Sequence, residues 1–165
     1  MFSIWDTADG KIGMSKSLIS KDIEHHFKFL FDRGFRIQSV KYYSEFMGAW
    51  IVILESEECL VEITNDRGEI LLSVGPHSGG KQKIWLDLRI VVFYLSKGKN
   101  YIGIYEGELR EKDKQFERLA KILAEYIDDV ISIMGGDFEK HKPNLEIAKK
   151  QVFELDTHSS SNESS

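Results

Sequence analysis

Apolar residues alternate with polar ones through the stretch from Gly48 to Pro76, GAWIVILESEECLVEITNDRGEILLSVGP. Trp50, Val52 and Leu54 alternate with Ile51, Ile53 and Glu55, so both faces of this strand carry apolar residues and it is expected at or near the centre of a sheet. Glu57-Glu58 makes a turn, after which Cys59, Val61 and Ile63 alternate with Leu60, Glu62 and Thr64. At Asn65-Asp66-Arg67-Gly68 the composition predicts a three-residue hairpin loop with a bulge, Gly68 supplying the left-handed conformation. Ile70, Leu72 and Val74 continue the pattern until Gly75-Pro76 ends it.

A further strand precedes this stretch, from Phe35 to Tyr43. Phe35 and Ile37 share one parity and Val40 and Tyr42 the other, which predicts either two partly covered faces or a bulge that shifts the register. The four strands read as an antiparallel meander.

Helical spacing surrounds the meander. Leu18, Ile19, Ile23, Phe27, Leu30 and Phe31 recur at steps of three and four from Ser17 to Arg33, with Ser17 as N-cap and Gly34 as the stop. In IWLDLRIVVFYLSKG, residues Trp85, Leu88, Val92 and Leu95 share one helical face and predict a helix buried against the sheet. The clearest helix runs from about Glu108 to Met134 through Phe116, Leu119, Leu123, Tyr126, Val130 and Met134, and Gly135-Gly136 ends it. A weaker one, near Asn144 to Glu154, shows Leu145, Ala148 and Val152.

Met1 to Ser15 is too irregular to assign, although Phe2, Ile4 and Trp5 are suited to anchoring the segment on the core. HSGGKQK has the composition of a mobile loop, and KNYIGIYEG reads as either a short strand or a turn. The predicted architecture is α+β, order αββββααα, in a single domain over 1–155, with a polar tail at 156–165 expected to be disordered.

Composition narrows the function classes. The chain has 165 residues, 42% hydrophobic and 30% charged, an ordinary globular balance. Its formal net charge of −5 argues against non-specific nucleic-acid binding, which needs a surplus of Lys and Arg, and makes a basic partner the better fit. Cys59 is the only cysteine, so no internal disulfide and no cysteine-rich metal site is expected, and the residue reads as a small buried apolar group. The start of the chain lacks a basic n-region and an unbroken apolar run, and the longest apolar run is interrupted by Asp87 and Arg89. A cytoplasmic protein without membrane or nucleic-acid partners is expected, and its oligomeric state is not legible.

Candidate chemistry is sparse. His25-His26 resembles a metal cluster, but adjacent helical residues point about 100° apart. Asp22 and His26 have the spacing to share a face, yet no third ligand is near, so no metal and no cofactor are expected. Asp66-Arg67-Gly68-Glu69 reads as turn chemistry at an exposed tip, where a carboxylate lacks the burial that tunes acid–base work. Gly79-Gly80-Lys81 lacks the frame of a phosphate-binding loop, no GxSxG is present, and Cys59 has no His in useful context. No catalytic residue is identified. Trp50, Trp85 and Tyr42, with Tyr43, read as core aromatics or, alternatively, as the lining of a small-ligand pocket. Glu55, Glu57, Glu58 and Glu62 form the most distinctive charge feature, read either as a solvated edge that discourages strand aggregation or as an acidic docking surface for a basic protein.

Gly34-Phe35 after the first helix, Gly48-Ala49-Trp50 opening a strand, Asp66-Arg67-Gly68 with Gly75-Pro76, and Trp85-Leu86-Asp87-Leu88 together carry a resemblance. In these features it resembles small bacterial α+β proteins, some of them similar to immunity proteins of polymorphic toxin systems. The resemblance implies a protein that binds and neutralises a cognate toxin, or another protein, without catalysis, and it carries over no catalytic residue. The leading expectation is therefore a non-catalytic, immunity-type binding protein with Glu55, Glu57, Glu58 and Glu62 facing the partner. A small-ligand module and an enzyme of unidentified site stand as alternatives.

Overall fold

The structure, a computed structural model, describes residues 4–77, 82–100 and 111–162, with side chains described over 15–77, 82–100 and 111–158. It is an α+β fold built on one antiparallel sheet of five strands in the order β1-β2-β3-β4-β5. These are β1 (Arg36–Tyr43), β2 (Ala49–Glu55), β3 (Cys59–Asp66), β4 (Glu69–Pro76) and β5 (Leu86–Asp87). Register follows the apolar alternation. One cross-strand row runs Val40, Val52, Ile63, Leu72, and the next runs Leu54, Val61, Val74, Leu86. With a side-chain period of two, both rows fall on one face, and helices cover it.

The helices are α1 (Ile4–His26), α2 (Lys28–Asp32), α3 (Leu88–Leu95), α4 (Lys112–Met134) and α5 (Phe138–Asn162). Helix α4 lies against β3 and β4, α1 lies against β1, and α3 and α5 pack on each other. The core joins Ile23, Phe27 and Leu30 to Phe116, Leu119 and Leu123 of α4 and to the inner face of the sheet.

Five corrections to the sequence reading have physical causes. The sheet has five strands rather than four, because Leu86 and Asp87 pair with Val74 and Ser73 before the helix begins. Asp87 then caps α3, its Oδ1 accepting the Arg89 N–H at 2.8 Å, so Trp85 precedes the helix instead of lying on its face. The first helix is two: α1 reaches back to Ile4, and the chain leaves helical geometry at Phe27 (φ −113°, ψ 30°) before α2. Gly34, at φ +89°, then ends α2 as expected.

At the β3–β4 hairpin, Asp66 pairs directly with Glu69, which leaves a two-residue loop instead of three. Arg67 (φ 54°) and Gly68 (φ 95°) both lie in the left-handed region, as the primed two-residue turn requires. Helix α5 starts at Phe138, ahead of the expected Asn144, and continues to Asn162 through most of the segment expected to be a disordered tail. Arg89 Nη1 of α3 pairs with Asp156 of α5 at 3.2 Å. Pro143 is accommodated inside α5 because it and Glu139, whose carbonyl it leaves unbonded, are both exposed to water. The element order is thus ααβββββααα. The tip of the HSGGKQK loop, most of KNYIGIYEG, Glu108 and the side chains of Phe2, Ile4 and Trp5 lie outside the described residues. Among the described residues no helix is long and apolar enough to cross a membrane.

Candidate functional site

The parity change in FRIQSVKYY is a bulge: the β1–β2 register shifts between Ile37 and Ser39, leaving Gln38 without a cross-strand partner. Arg36, opposite Glu55, and the displaced Gln38 then both reach the same carboxylate. Arg36 donates to Glu55 Oε1 through Nε (3.1 Å) and sits with Nη2 3.0 Å from the same oxygen, and Gln38 Nε2 donates to Oε2 at 2.8 Å. His77, the residue after β4, brings Nε2 to 3.5 Å from Oε2.

The turn beside Glu55 is fixed by Ser56. Its backbone N–H donates to the Cys59 carbonyl at 2.9 Å, and its Oγ accepts the Cys59 N–H at 3.1 Å. That closes a tight turn on which Glu57 and Glu58 are exposed, the Glu58 side chain lying beside Gly135 at the end of α4. The His77 N–H donates to the Glu58 carbonyl at 3.3 Å and ties the end of β4 to the turn. Together Gly34, Arg36, Glu55, Ser56, Glu57 and His77 line an open cleft of about 490 Å³. His77 also borders a second depression of about 300 Å³, against Gly135 and Phe138 at the start of α5.

Burial acts most strongly on Glu55 and opposes its ionisation, but the hydrogen bonds from Gln38 and Arg36, the Arg36 charge and the His77 contact outweigh it. The net effect holds this carboxyl below its ordinary value, so it is charged at neutral pH. Glu62 behaves oppositely. Burial raises it, and the charges of Lys83 and Lys41 only partly offset that. It lies on the sheet face opposite the helices, opposite Ile53 and Ser73. Residues 82–85 pass that face: Lys83 Nζ donates to Gln38 Oε1 at 3.0 Å, and the Ile84 backbone crosses over Gly75.

Of the four predicted acidic residues, the structure therefore groups Glu55 and Glu57 in one cleft, sets Glu58 on the same turn, and leaves Glu62 on the sheet face. Arg36, Gln38 and His77 were missed by the sequence reading. The parity change signalled the bulge that displaces Gln38, and nothing in the sequence singled out Arg36 or His77.

The alternative aromatic pocket is not assembled. Trp50 is 5% exposed, its ring 6.1 Å from Phe116 and nearly parallel to it, and Tyr42 packs against the same core. Trp85 sits beside Gly75. Strand parity puts that position on the other face of the sheet from Trp50. His26 stacks on Phe116 at 5.0 Å with Nε2 3.4 Å from Asp113, while Asp22 pairs with Lys112. Among the described residues no group of three or more His, Cys, Asp or Glu converges to hold a metal ion. Cys59 is fully buried, and that burial pushes its thiol up to about 12, against any role as a nucleophile. Asp66 and Arg67 pair with each other at the hairpin tip. Compared with protein-family models, curated proteins and solved structures, the chain matches none.

Proposed function

We propose that this chain is a non-catalytic protein-binding module of the immunity type, which neutralises a basic toxin domain by docking it at the acidic end of the sheet. The observation that carries this reading is the arrangement at the β2–β3 turn. Glu57 and Glu58 are exposed on a turn fixed by Ser56, beside a Glu55 carboxylate held in the charged state. Like charges on a rigid element steer a basic surface and fix its register more than they add raw affinity. Glu62, partly withdrawn and neighboured by Lys83 and Lys41, contributes to the field and not to contact.

Charge reversal at the turn tests the reading. Glu57→Lys with Glu58→Lys abolishes binding of a basic protein ligand at low ionic strength and leaves thermal unfolding unchanged. Affinity that survives the double reversal contradicts the assignment of the site.

A further inference from the structure

Glu55 and Arg36 form an unequal pair: the carboxylate side chain is 15% exposed and the guanidinium side chain 80%. A carboxylate withdrawn from water needs donors, and Arg36 supplies two nitrogens to Oε1. The guanidinium itself gains little, because it stands mostly in solvent on the edge strand of the sheet, where ion pairs contribute least. The cleft around it is open on the Gly34 side, where an added Cβ would meet nothing within 4 Å.

We infer that the cleft is a receptor for one arginine side chain of the basic partner, and that Arg36 fills this position in the free chain. The inference rests on the docking reading above and names the group that docks. An incoming guanidinium reproduces the two-nitrogen contact with Glu55 Oε1, finds Glu57 on the rim as a second acceptor, and releases Arg36 to water. A lysine ammonium is a point charge and cannot set two fixed, coplanar nitrogens on Oε1 while Gln38 and His77 keep Oε2. The exchange keeps a cation on Glu55 throughout, beside the Gln38 and His77 contacts on Oε2, so the half-buried carboxylate is never left uncompensated.

Hexa-arginine and hexa-lysine peptides serve as probes, with binding measured at low ionic strength for the full chain and for Arg36→Ala, Lys41→Ala and Glu55→Gln. Lys41→Ala removes the same charge from the same strand without touching Glu55, and so calibrates the long-range effect. The inference predicts that Arg36→Ala binds hexa-arginine about 2- to 5-fold more tightly than Lys41→Ala does, the release expected for an exposed pair. It predicts no such difference for hexa-lysine, and loss of the arginine preference in Glu55→Gln. Binding that is equal in the two alanine variants, or weaker in Arg36→Ala, overturns the receptor and leaves the docking surface standing. Failure of the unmodified chain to bind either peptide overturns both.

Discussion

Gly75 and Ile84 meet backbone to backbone: a methyl group on Gly75 would lie 2.0 Å from the Ile84 carbonyl oxygen. β4 presents Gly75 on the sheet face away from the helices, and the Ile84 backbone passes directly over it there. Gly75→Ala therefore cannot be absorbed by a side-chain rotation and must displace the Ile84 backbone. The expected cost is about 1–3 kcal/mol, in the range of overpacking. Gly136→Ala, where a Cβ meets nothing within 4 Å, is expected to stay within about 0.5 kcal/mol of the unmodified chain. Urea midpoints of the two variants check the contrast.

Gln115 is the one buried polar side chain of the described core, and it completes the edge of the sheet. Its Oε1 accepts the Ile70 N–H at 3.0 Å and its Nε2 donates to the Gly68 carbonyl at 2.9 Å, at a stretch of β4 that β5 does not reach. Gln115→Leu keeps the helix and the volume but strands the Ile70 N–H. A loss of about 1–3 kcal/mol is expected, with faster amide hydrogen exchange at Ile70.

Arg67 occupies a left-handed position (φ 54°) that disfavours a side chain. Its ion pair with Asp66 is exposed and offsets little of that. Arg67→Gly is expected to raise stability by up to about 1 kcal/mol, whereas Gly68→Ala (φ 95°) lowers it. Thermal unfolding distinguishes the two signs.

Two carboxylates make opposite contributions to pH-dependent stability. Glu55 is lowered in the folded chain, so its stabilisation is full above the ordinary value of 4.5 and is lost as pH falls through its own lower value. Glu62 is raised, so it is destabilising above its folded value, and that penalty fades as pH falls toward and below 4.5. Glu55→Gln is expected to lower stability at pH 7 and Glu62→Gln to increase it. Both differences should vanish in acid, as measured by denaturant unfolding across pH.

Much of this fold is legible in the sequence, because burial on one face imposes a period that single residues report. The alternation through Trp50, Val52 and Leu54 and through Val61 and Ile63 places the central strands, and Gly34 marks the end of the first helical segment. What was not legible depends on partners far along the chain. Leu86-Asp87 is a strand only because Val74 and Ser73 lie beside it, and the same letters continue smoothly into a helical pattern. Gln115 is 45 residues from the Ile70 amide it serves, and Asp156 of α5 pairs with Arg89, 67 residues away. At the site, charge count singled out Glu55, Glu57 and Glu58, but the cleft also needs Arg36 from β1 and His77 from beyond β4. Nor does charge count register burial, which sets Glu62 apart.

The central claim is that the β2–β3 turn is where a basic partner docks. Amide chemical-shift mapping of the full chain, titrated with hexa-arginine at low ionic strength, tests it most directly. The account predicts shifts concentrated at Ser56, Glu57, Glu58 and Cys59, with Gly34, Arg36 and His77, that reverse on adding salt. Shifts centred instead on the Asp66–Glu69 hairpin or on the outer face of α5, with the Ser56–Cys59 turn unmoved, would contradict it.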